Sequence, residues 1–194
     1  IYFLARKNEL HKNNSKIKVI KTNELFNYSN YTDTYPDYRS NLRIFDNFAF
    51  SSYQSDYPFK MLNSKSSTLS PIYPLTNYNA DINKIFFRNI FHLPIIEEFF
   101  AYLIDIKKRN VIRKIKLFSN TTNEINLDKS EINKNSYFFT KGFIGIPIFV
   151  SQKKNSISME HTHPPHHYLY DKNKFETIKN LKKNIDEILY KENS

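Results

Sequence analysis

The run Pro94-Ile95-Ile96-Glu97-Glu98-Phe99-Phe100-Ala101-Tyr102-Leu103-Ile104, followed closely by Lys107-Lys108-Arg109, sets the expected architecture. Ile95, Ile96, Phe99, Phe100, Leu103 and Ile104 recur at the spacing of one helix face. Pro94 suits a first helical turn, and Glu97 and Glu98 suit the positive end of the helix dipole. The basic triplet suits its negative end. The pattern predicts a helix that opens at Pro94 and breaks near Asn110, with regular structure beginning about residue 91.

Downstream, residues 119–136 are polar and read as a loop. Tyr137–Thr140 suggests a short strand, and Phe143–Ser151 a longer one, rich in Ile, Phe and Val. Pro147 marks that strand as an edge or a bulge. Gln152–Asn155 reads as a turn and Ser156–His161 as the returning strand of a hairpin. A final amphipathic helix is expected over residues 173–191, with Phe175, Ile178, Leu181, Ile185, Ile188 and Leu189 in one apolar stripe. Residues 91–194 therefore read as a small α+β domain built from a β-hairpin and two helices.

Upstream of it, residues 27–90 read as an extended Tyr/Pro/Asn-rich strap. Residues 27–80 hold eight of the 14 tyrosines and four of the eight prolines. No helical or strand period persists, and proline denies ladder hydrogen bonds. Three Tyr-Pro steps, at Tyr35, Tyr57 and Tyr73, suit a strap lying on a partner, each ring burying its body and keeping its hydroxyl wet. Tyr35, Tyr38, Tyr57 and Tyr73 are the expected partner-binding anchors. Residues 1–26 form a basic arm, in which Lys16–Lys21 alternates with Ile17 and Val19 as a strand would. The chain begins at Ile1 and not at Met, which fits a processed or truncated precursor.

Composition excludes several classes. There is no Cys, hence no disulfide, thiolate zinc site or thiol nucleophile. Gly142 and Gly145 are the two glycines, too few for a dinucleotide fingerprint or a phosphate loop. No apolar run approaches the length of a spanning helix. The net charge of +10 is concentrated. Residues 1–21 carry +5, residues 105–116 carry +5, and the remainder is neutral. Lys107, Lys108, Arg109, Arg113, Lys114 and Lys116 are accordingly candidates for binding RNA or an anionic membrane surface. A solvated, charged element end is the plainer alternative. Asn, Lys, Ile and Tyr are abundant, as AT-rich coding would also produce.

Four of the six histidines fall in His161-Thr162-His163-Pro164-Pro165-His166-His167. On an extended strand His161 and His163 point the same way, a usable spacing for two ligands on one metal. His166 or His167 could return as a third. Zinc is the ion such a set would take; no other cofactor is expected. A rigid His-Pro-Pro-His turn serving structure or an interface is the other reading.

His161-Thr162-His163-Pro164 resembles the His-[Ser/Thr]-His-Pro core of the JAMM (MPN+) metalloproteases. That resemblance implies a zinc-activated water, an upstream general-base Glu, and isopeptide hydrolysis. Glu24 and Glu98 are the loosely placed candidates for the base. Downstream, Asp171 stands where the family has Ser, and Lys174 where it has a ligating Asp.

Taken together, these features lead to the expectation of a non-enzymatic structural or accessory subunit of an organellar, preferably mitochondrial, assembly. It would bind other protein subunits through the strap and the basic patches. A zinc hydrolase and an RNA-binding component of an organellar ribosome are the alternatives.

Overall fold

The computed structural model describes residues 38–46 and 49–57 at the level of the backbone, together with 67–89, 96–119, 121–161 and 171–192. The basic arm of residues 1–26, its strand signal, Tyr35, and His163, His166 and His167 lie outside the described residues.

Ten strands and one long helix make up the described chain. Strands β1 (Tyr38–Asp46) and β2 (Ala49–Tyr57) pair as an antiparallel hairpin. The other eight are β3 (Thr68–Pro71), β4 (Ile82–Asn89), β5 (Glu98–Asp105), β6 (Asn110–Phe118), β7 (Asn123–Leu127), β8 (Ser136–Thr140), β9 (Gly145–Lys153) and β10 (Ser156–His161). They form two antiparallel four-stranded sheets, in the orders β10-β9-β4-β7 and β3-β8-β5-β6. The helix, α1, runs Lys174–Glu192.

This is a mostly β architecture, and it corrects the expected α+β domain of two helices and a hairpin. Within the run that reads as a helix, Glu98–Asp105 forms β5 instead, paired with β6 on one side and β8 on the other, while Pro94 and Ile95 lie outside the described residues. The physical reason is burial on both faces. Phe99, Ala101 and Leu103 point into the core between the sheets. Ile104 and Tyr102 point outward, into a second core roofed by α1. A strand covered on both sides needs no polar alternation, so its apolar run mimics helical spacing. The basic triplet that resembled a helix C-terminus is a hairpin turn. Asp105 is buried there, and its Oδ1 accepts the backbone N–H groups of Lys107 (3.0 Å) and Lys108 (2.9 Å). Arg109 closes the turn with φ of 55°.

Two further corrections follow from the same sheets. The polar stretch read as the loop 119–136 contains β7, an edge strand whose side chains alternate between core and solvent. The extended segment of residues 27–90 contains the β1–β2 hairpin, and its β3 and β4 belong to the two larger sheets. The β9–β10 hairpin turns at Lys154, whose φ is 49°.

The inter-sheet core is aromatic. Phe87 of β4 meets Phe99 edge-on, with centroids 6.2 Å apart, and Phe138 at 5.2 Å. Phe143 stacks on Phe99 with centroids 4.2 Å apart and closes one end. Such pairs add about 0.5–1.5 kcal/mol each beyond their burial. At that end Thr68 Oγ1 accepts the Gly145 N–H at 2.9 Å, and Thr140 Oγ1 donates to the Phe143 carbonyl. The second core sets Ile185, Ile188 and Leu189 of α1 on Leu69, Ile104 and Phe139.

Candidate interaction surface

The sandwich brings the six basic residues of 105–116 onto one hairpin, but it gives most of them intramolecular partners. Arg109 Nη2 donates to Glu187 Oε2 of α1 at 2.8 Å. Lys116 Nζ lies 2.8 Å from Glu98 Oε2 across the β5–β6 ladder. Arg113 Nη2 donates to the Asn126 carbonyl at 2.6 Å, and its Nε is 3.0 Å from Glu131 Oε1. That second approach is an ion pair without hydrogen-bond alignment of the N–H. Counting the three partner carboxylates, the local charge falls from +5 to +2. Lys107 and Lys108 are exposed in the turn. Lys114 holds its ammonium 4.3 Å from the Phe100 ring centroid.

The alternation of β5 and β6 explains what surrounds that ring. Register pairs Glu98 with Phe118, Phe100 with Lys116, and Tyr102 with Lys114. All six therefore project from the outer face of the β3-β8-β5-β6 sheet. Helix α1 covers the end of this face that carries Tyr102 and Ile104. The other end stays open, with Phe100 36% and Phe118 41% exposed, and Ile96 just upstream 66% exposed. The result is an aromatic patch edged by Glu98, Lys114 and Lys116. Reading the run as a helix hid this patch, because Phe100 then falls on the buried stripe. A strand reading of β6, with Lys114, Lys116 and Phe118 on one face and Ile115 and Leu117 on the other, would have found it.

The other expected site residues are dispersed. Tyr73 lies in a short 3₁₀ turn, Tyr73–Leu75, and is exposed. Tyr38 and Tyr57 stand directly opposite each other in the β1–β2 register. His161 ends β10, half-buried and paired with Ile148. Among the described residues no three His, Asp or Glu side chains converge as a metal site requires. Asp171 serves the helix start: it accepts the Asn173 N–H at 3.1 Å and the Thr177 hydroxyl at 2.8 Å. These bonds, the Asn173 one foremost, hold its carboxyl below the usual carboxylate range.

Helix α1 also departs from the expected stripe. Its Ile185, Ile188 and Leu189 are buried, but Phe175 is 70% exposed. The stripe is longer than the apolar ground offered to it by the sheet. Among the described residues no helix is long and apolar enough to cross a membrane. No protein-family model matches the sequence, and no curated protein and no solved structure is detectably similar to it.

Proposed function

We propose that the chain is a non-enzymatic accessory subunit that binds a protein partner of a larger assembly. The observation that carries this reading is the open aromatic patch of Ile96, Phe100 and Phe118 beside Lys114 and Lys116. Aromatic anchors rimmed by charge are the usual composition of a protein-binding surface. The pairing of Arg109, Arg113 and Lys116 with carboxylates favours a protein partner over RNA, since it spends phosphate-binding charge within the fold. An organellar, mitochondrial setting completes the proposal, and its support is the basic arm and the absence of Cys.

The test places a photo-crosslinking phenylalanine analogue at position 100 of the chain in its source cells. The expected result is one stoichiometric crosslinked subunit, lost when Phe118→Asp is added. A chain that stays monomeric and yields no crosslinked partner would overturn the reading.

A further inference from the structure

A second surface lies on the flank of α1 and is independent of the aromatic patch. Residues Phe175, Lys179, Lys182, Lys183, Asp186 and Tyr190 fall within an arc of about 100° at 3.6 residues per turn. Phe175 is 70% and Tyr190 76% exposed, at opposite ends of this flank. Their Cα atoms are about 22 Å apart along the axis. Between them stand three lysines, and Asp186 is neutralised by Lys141 Nζ at 3.1 Å. Glu187, outside the arc, is engaged by Arg109. The flank is therefore +3 with an aromatic ring at each end.

We propose that this flank of α1 docks the protein on an anionic lipid surface. The order of the groups selects that partner. A protein hot spot puts its aromatic anchor at a dry centre and its charges on the rim. Here the charges are central and the rings terminal, along one flank of the helix. Tyr190 suits the headgroup level of a bilayer, where amphipathic aromatics reside, and Phe175 suits the acyl boundary just beneath it. The cations are all lysine, whose long stems let a point charge reach diffuse phosphates without the forked geometry that specific recognition uses. The platform is rigid. Ile185, Ile188 and Leu189 seat the helix, and the Arg109–Glu187 and Lys141–Asp186 pairs hold it from different flanks.

The experiment is flotation of the full chain with phosphatidylcholine vesicles, with and without phosphatidylserine. Co-flotation is expected with the serine lipid only. Lys179→Gln, Lys182→Gln and Lys183→Gln together should lower the partition coefficient by roughly two orders of magnitude, at about fivefold per lysine. Phe175→Ala with Tyr190→Ala should remove the binding that persists at high salt, while Lys153→Gln with Lys154→Gln, in the β9–β10 turn of the other sheet, leaves binding unchanged. Circular dichroism checks that each variant keeps its helix. Absent binding, equal binding to neutral vesicles, or binding untouched by the triple replacement would overturn the proposal. So would displacement by a single-stranded RNA homopolymer at matched phosphate, which would reassign the flank to nucleic acid.

Discussion

Arg113 Nε lies 3.0 Å from Oε1 of Glu131, a carboxylate almost wholly withdrawn from solvent. The same guanidinium reaches the Asn126 carbonyl of β7, and Glu131 Oε2 accepts the Asp128 N–H at 2.8 Å. Edge strand β6 of one sheet is thus latched to edge strand β7 of the other by one charged side chain. Arg113→Met would leave the carboxylate inside without its cation. The expected loss is about 1–3 kcal/mol, the desolvation penalty of an unpaired buried polar group. Urea denaturation of Arg113→Met, Glu131→Gln and the double variant measures it. The double variant should lose less than the two single losses added together.

The two-sided burial of β5 yields a sharper contrast. Phe99 faces the inter-sheet core, while its neighbour Phe100 faces outward and is partly exposed. Phe99→Ala should lower stability by about 3–5 kcal/mol, as large aromatic truncations in cores do. Phe100→Ala should cost clearly less, about 1–2 kcal/mol, since a third of the ring is already exposed and its removal opens no closed cavity. Were the segment a helix, both rings would share one face and the two losses would be comparable. Denaturant midpoints of the two single variants decide between these.

That contrast also shows what the residues alone could reveal. The strand at Gly145–Lys153, its return at Ser156–His161 and the terminal helix announce themselves through an apolar run rich in Ile, Phe and Val, a polar turn and a repeated 3.6 stripe. Strand β5 does not, because a doubly covered strand has no polar face to mark its period. Strand β7 does not either, because only Ile125 and Leu127 of its five residues are apolar. Its inward Asn123 looks like a loop residue. In the fold it accepts the Phe118 N–H at 2.9 Å and donates to the Phe87 carbonyl at 3.2 Å, joining strands of both sheets. The surface patch was illegible for the same reason as β5: placing Phe100 on a face requires the correct period first.

Gly145 occupies a place with no room for a side chain. A Cβ there would stand 2.6 Å from the Arg88 carbonyl oxygen and 2.7 Å from Cζ of Phe87. The first is backbone of the paired strand β4 and the second a fully buried ring, so neither yields cheaply. Gly145→Ala should therefore cost about 1–3 kcal/mol, the range for overpacking a filled site. A Gly145→Ala variant as stable as the parent would mean that β4 and β9 can separate there without loss.

Tyr137 sits half-buried against the outer core, and burial raises its hydroxyl above the ordinary tyrosine value. The unfolded chain ionises first as pH climbs, so folding keeps the neutral form. The stability this residue contributes is present in full below the unfolded value, about pH 10, and falls away as pH rises through the folded value. Alkaline unfolding followed by tyrosinate absorbance should shift to higher pH in Tyr137→Phe, which has nothing to ionise.

The acid side is governed differently, at the start of α1. Asp171 is held as a carboxylate by the Asn173 N–H and the Thr177 hydroxyl, so its folded value lies below its unfolded one. Its contribution is present above the unfolded value, about pH 4, and is lost as pH falls through the lower folded value. The site is at the surface, so the effect is local: the first turn should fray in acid before the sandwich opens. Amide exchange of Lys174 to Thr177, taken relative to the intrinsic rate at each pH, should accelerate below that pH in the parent. In Asp171→Ala those amides should exchange fast at every pH and show no acid step, while the exchange of Ile185, Ile188 and Leu189 stays as in the parent. Matching acid steps in the two proteins would assign the titration to a different carboxyl.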